Sequence, residues 1–162
     1  MKAITLWQPW ASLLGCGAKK YETRSWATSY RGPIAIHAAK KEFNTDVYLD
    51  RELQWLADGL NLPDIYSFNI LPLGCVIATA QLVACHEIVK DNFGNFYAGK
   101  QTNQIGEINN YGKRVDDKEV FLGNWEPGHY AWEFTDMKLL DQPIIYKGKQ
   151  RLWNFYDELK EN

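Results

Sequence analysis

No run of apolar residues in this 162-residue chain approaches a bilayer span, and no low-complexity tract interrupts it. A helical membrane protein and a disordered segment are therefore both excluded from the expectation. Cysteine is sparse: Cys16, Cys75 and Cys85 are odd in number and scattered, with no CxxC and no Cys/His ligand spacing. That pattern argues against a disulfide framework or a structural zinc, and for reduced, buried thiols. The histidines His37, His86 and His129 share no metal-binding spacing and belong to no Ser/His/Asp arrangement. Neither a metal nor a cofactor is expected. The opening Met1 to Leu6 enters a strand-like run without the apolar stretch and cleavage site of a secretory signal, so the expected location is the cytoplasm and no membrane partner is foreseen. A positive excess is missing as well. With 18 basic and 20 acidic residues, the net charge of -2 argues against a protein that coats nucleic acid by bulk attraction.

What charge there is, however, is unevenly placed. Residues 1–41 carry Lys2, Lys19, Lys20, Arg24, Arg31, Lys40 and Lys41 against Glu22 alone, seven against one. The remainder of the chain then holds eleven basic and nineteen acidic residues, so a local +6 adjoins a body of -8. Such a region suits an anionic ligand, unless folding scatters it over a solvated surface. With 46% hydrophobic residues and no repeat or linker, residues 1–162 are expected to form one domain.

Turn formers and periodicity predict the elements. Ala3 to Trp7 reads as a strand and Trp10 to Leu14 as a short helix entered through Pro9. Tyr21 to Ser25 and Gly32 to Ala38 read as further strands. Between Asn44 and Leu60, the residues Leu49, Leu53, Leu56 and Leu60 fall at helical spacing, with Trp55 read as structural and Gly59 as a terminator. Gly74 to Ile88 is a long strand, residues 89–123 a polar excursion with one short helix, and His129 to Leu140 an alternating strand containing Trp132. Pro143 to Tyr146 is expected as a last short strand and Arg151 to Leu159 as a terminal helix. Many strands, dispersed helices and no βαβ alternation predict an α+β fold: a small mixed β-barrel with peripheral helices.

At Gly17-Ala18-Lys19-Lys20-Tyr21-Glu22-Thr23-Arg24 the sequence resembles the GxKxxExR signature of the ASCH domain. The lead-in Trp7-Gln8-Pro9-Trp10-Ala11, the follow-on from Tyr30-Arg31-Gly32 to Ala38, the late strand Pro127 to Trp132 and the closing Lys147 to Trp153 are similar too. The resemblance implies a PUA-like barrel, a cleft beside the signature, and action on RNA.

On a regular strand, Glu22 and Arg24 share one face while Tyr21, Thr23 and Ser25 take the other. Lys19, in the turn before, is expected to swing to the face of Glu22 and to remain accessible. Three converging charges are tolerable in a wet pocket where Glu22 pairs with a cation. Lys19 and Arg24 then offer donors to a phosphate or a base carbonyl, and Glu22 accepts from an exocyclic amine. The alternative is a surface ion pair that stabilises by no more than ~1 kcal/mol. Among seven tryptophans, Trp7, Trp10 and Trp26 flank the signature. Trp26 is the preferred platform for a stacked base. Arg31 and His37 complete the candidate RNA- or nucleotide-binding set. The chain also resembles the small acetylcytidine amidohydrolases of this family, in which a lysine, a threonine and a glutamate act. Lys19 matches the lysine, Glu22 occupies the threonine's place, and Glu107 and Glu119 are candidates for the glutamate. Three readings follow: an RNA- or modified-nucleoside-binding domain, a hydrolase (amidohydrolase or ribonuclease) using Lys19 and Glu22, and a protein-interaction module of a transcriptional regulator.

Overall fold

Strand-forming runs dominate the chain. The computed structural model describes residues 1–101 and 110–156, and within these an α+β architecture is built from β1 (Lys2–Leu6), α1 (Trp10–Gly15), β2 (Tyr21–Arg24), β3 (Gly32–Ala38), α2 (Asp50–Leu60), β4 (Cys75–Lys90), β5 (Phe96–Gln101), β6 (Asn110–Arg114), α3 (Asp117–Phe121), β7 (Tyr130–Ile145) and β8 (Leu152–Asn154). Pairing runs β2-β7-β4-β3-β1-β8, with β5 joined to β4 and to β6. The sheet is mixed, because β1 is parallel to β3 and antiparallel to β8. The chain divides into two compact units, and β4 and β7 each pass from one into the other.

The first unit comprises Met1–Ala18, Gly32–Gln81 and Asp136–Asn162. Its core covers both faces of β1 and β3 (Ala3, Ile4, Ile34, Ala35, Ile36) and includes Leu13 and Leu14 of α1, all essentially inaccessible. Small residues allow close layers here: a Cβ on Gly15 would lie 3.0 Å from the Ala78 Cβ, and one on Gly59 would lie 2.9 Å from Leu13 Cδ2. Gly59 is thus a helix-packing residue, and α2 instead ends at Asn61, whose φ of 54° supplies the left-handed cap. The expected helix from Asn44 begins only at Asp50, since the Asn44 carboxamide caps a separate turn at Thr45–Val47. Leu53 and Leu56 are buried as the periodicity requires, but Trp55 is 55% exposed and is no core residue. In place of the expected helix from Arg151, Leu152–Asn154 form a strand. Arg151 has φ 59°, and Trp153 and Phe155 alternate inward at a period of two. Residues 157–159 of that expected helix lie outside the described residues.

The second unit comprises Lys19–Arg31 and Leu82–Thr135. Its core packs Tyr21, Ile88, Ala98, Val115, Trp125 and Ala131. Part of the expected polar excursion is a hairpin: β4 leads through a turn into β5, which pairs with β6. The Asp91 carboxylate organises that turn by accepting from the amides of Phe93 and Asn95, at 2.9 Å each. Gly112 serves the hairpin, for a Cβ there would overlap the Ala98 carbonyl oxygen. The Asn and Gly residues that read as loop are those the turn and close pairing need.

Candidate functional site

β2 pairs antiparallel with β7, aligning Tyr21 with Glu133, Glu22 with Trp132, Thr23 with Ala131 and Arg24 with Tyr130. Partners in register share a face, so Glu22, Arg24, Tyr130 and Trp132 stand on one side, and Tyr21 and Thr23 on the other. The shared face expected for Glu22 and Arg24 is present. One Glu22 oxygen, Oε1, lies 3.3 Å from Arg24 Nε; the other, Oε2, accepts from Lys19 Nζ at 3.1 Å. The carboxylate is held between two cations and is itself 12% exposed, with Arg24 at 27%.

Lys19 differs from the expectation. Its side chain is 1% exposed, and its ammonium also donates to the Leu122 carbonyl at 3.0 Å, at the end of α3 where helix carbonyls lack partners. Burial of a full charge is sustained by the paired carboxylate and by this second bond. Rather than swinging outward, Lys19 is a fixed counter-ion beneath Glu22. Glu119, on α3, also reaches this corner: its Oε1 accepts from the Lys20 amide, while its buried Oε2 has no hydrogen-bond partner among the described residues. Burial raises the Glu119 carboxyl above its ordinary pKa, against the opposing pull of the Lys20 and Tyr21 amides and the Lys19 charge. Tyr21, on the opposite face, is pushed up to about 12 by burial first and then by the carboxylates of Glu133, Glu119 and Asp116. Thr23 is no substitute for a hydroxyl nucleophile, because it faces away from Glu22 and its Oγ1 accepts from the Asn124 amide at 2.9 Å.

A buried lysine under a strand-borne Glu-x-Arg pair is the structural form of the GxKxxExR run, and comparison with known proteins agrees. The ASCH domain family model matches residues 4–153. The chain belongs to the ASCH domain family. Over 83 residues it is 40% identical to activating signal cointegrator 1 of Homo sapiens, and over 82 residues 37% identical to that of Mus musculus. Each match spans 51% of this chain and only 14% of the relative's length. ASCH domains are related to the PUA-like RNA-binding domains, and the family is generally associated with RNA.

The remaining candidates of this ASCH chain fall in both units. In the second, Trp26 is half-buried, its ring meeting Trp132 edge to face at 4.6 Å while the Trp132 indole donates to the Trp26 carbonyl. Arg31 is exposed and spends one guanidinium nitrogen on the carbonyls of Thr28 and Tyr30. In the first, Trp7 is 57% exposed with Lys41 Nζ 3.7 Å above its ring, and Trp10 packs against Phe43 and Tyr48. His37 is a core residue there: Nε2 donates to the Tyr146 carbonyl at 2.9 Å, and burial lowers its pKa. Of the two candidate glutamates, Glu119 adjoins Lys19, and Glu107 lies outside the described residues. Sequence reasoning missed the Leu122 carbonyl, for which no local signal exists, and took Trp132 as structural without placing it on the motif face.

Proposed function

We propose that this ASCH domain binds RNA or a modified nucleoside in a charged cleft at its GxKxxExR motif, and that residues 1–162 act as one PUA-like barrel domain. The observation that carries the reading is the carboxylate of Glu22, fixed by Lys19 and Arg24 and still partly accessible. A carboxylate pinned in this way keeps lone pairs for an exocyclic amine without a reorganisation cost on binding. Arg24, on the same face, supplies the cation for a phosphate or base carbonyl. The half-buried Trp26 supports a stacking role, and the exposed Arg31 of the same unit extends the proposed contact set. The family match through residues 4–153 supports the single-domain reading, and three free cysteines suit the cytoplasm.

A second reading, hydrolysis of an acylated cytidine or of RNA, is favoured by Glu119, a buried carboxyl beside Lys19 with one oxygen unbonded among the described residues. In that chemistry Glu22 serves as base with Lys19 as its buried counter-ion, and water cleaves the amide of acetylcytidine to cytidine and acetate. The interaction-module reading takes its support from the name of the relatives alone. Incubating wild type and Glu22→Gln with acetylcytidine and with mixed RNA, alongside binding titrations, separates the first two. Binding without product supports the module. Turnover that Glu22→Gln abolishes while retaining binding supports the hydrolase, and no binding to any RNA or nucleoside at low salt refutes both.

A further inference from the structure

The first unit contains a pocket of about 280 Å³ that the motif does not touch. Its walls are Phe43, Phe68 and Tyr66, with Glu42, Thr45 and Asn69 as polar neighbours. Phe43 is the hub of an aromatic cluster, 5.0 Å from the Phe68 ring and 5.1 Å from that of Tyr48, so the wall is fixed in place. Gln8 also lines the pocket and is itself satisfied, donating to the Pro72 carbonyl at 2.9 Å and accepting from the Ser12 amide at 3.1 Å. The rim is left open, with Tyr66 83% exposed.

The segment that supplies most of this pocket's lining is acidic and does not suit a polyanion, although Lys40 and Lys41 immediately precede it. Residues 42–73 carry Glu42, Asp46, Asp50, Glu52, Asp58 and Asp64 against Arg51 alone, six against one. Glu42 lines the pocket and, among the described residues, forms no ion pair. Aromatic faces attract cations through their quadrupoles, and an unpaired carboxylate beside them supplies the counter-charge. We infer that the Phe43, Tyr66 and Phe68 pocket is a binding site for an organic ammonium ion, preferably a methylated one, with Glu42 as its counter-ion. The volume lies just below the range of about 300–1,000 Å³ common for drug-sized ligands and suits a headgroup better than a whole cofactor. A free quaternary amine and a methylated lysine side chain of a protein present the same chemistry.

The test is a set of NMR and calorimetric titrations of the whole chain with choline, with trimethyl-lysine as the free amino acid and within a short peptide, and with neutral 3,3-dimethylbutanol. The inference expects choline and trimethyl-lysine to shift the amides of residues 42–73 and to bind at least tenfold tighter than the neutral isostere. Glu42→Gln and Tyr66→Ala, both at exposed positions, should leave the fold intact and weaken ammonium binding roughly 3- to 30-fold. Tighter binding of the peptide than of either free amine identifies a protein side chain as the source, and equal binding identifies a small amine. The inference is overturned if the neutral compound binds as tightly as choline, if neither variant weakens binding, or if the shifts fall outside residues 42–73.

Discussion

Replacing Lys19 by methionine keeps the length of the side chain and removes its charge and donors. In the wild type, that ammonium is 1% exposed, bonds Glu22 at 3.1 Å and bonds the Leu122 carbonyl at 3.0 Å. A hydrogen bond involving a charged group contributes about 1.5–3 kcal/mol, and Lys19→Met loses two while leaving a carboxylate with Arg24 as its remaining cation. The apolar methionine recovers part of this through burial, so the net cost should be about 3 kcal/mol. For a chain of this size, that corresponds to a fall in Tm of about 6–12 °C. Urea denaturation followed by tryptophan fluorescence measures it, with Lys20→Met as control. Lys20 contributes its backbone amide to Glu119 and its side chain is exposed, so its replacement should cost less than about 0.5 kcal/mol. If Lys19→Met and Lys20→Met unfold at the same denaturant concentration as wild type, Lys19 is not the buried counter-ion described here.

Gly148→Ala should destabilise by about 1–3 kcal/mol, because its Cβ would overlap His37 Cε1 and lie 2.7 Å from His37 Nδ1; thermal melts check this. Glu119 gives a pH signature. Its folded pKa is raised, so the folded state binds more protons than the unfolded one, and stability falls as pH rises from the ordinary carboxyl value through the raised one. Melts from pH 4 to 8 should show wild type losing stability relative to Glu119→Gln across that window; parallel curves would contradict it. Arg24→Ala should weaken binding of short single-stranded RNA by roughly 1–3 kcal/mol and flatten the salt dependence, as fluorescence anisotropy at several salt concentrations can show.

Much of this was legible in the residues. The strand at Gly32–Ala38 has the expected bounds and the one expected from Tyr21 to Ser25 ends one residue earlier, at Arg24; period two alone put Glu22 and Arg24 on one face. The burial of Lys19 was not legible, because its second partner is a carbonyl 103 residues away, and a backbone oxygen carries no residue-type signal. The β5–β6 hairpin was hidden because its Asn and Gly content indicates a turn without indicating what the turn connects. Arg151–Leu159 is expected as a helix, whereas the inward alternation of Trp153 and Phe155 that marks the strand is a pattern of only two residues.

The central claim, that a nucleic-acid or nucleoside ligand is recognised at the Glu22–Arg24 face, is tested most directly by a backbone amide NMR titration with a short single-stranded RNA. The account predicts that the largest shifts fall on residues 22–26 of β2 and its continuation and on Tyr130, Ala131 and Trp132 of β7. Shifts confined to other residues, or none at low salt, would contradict it.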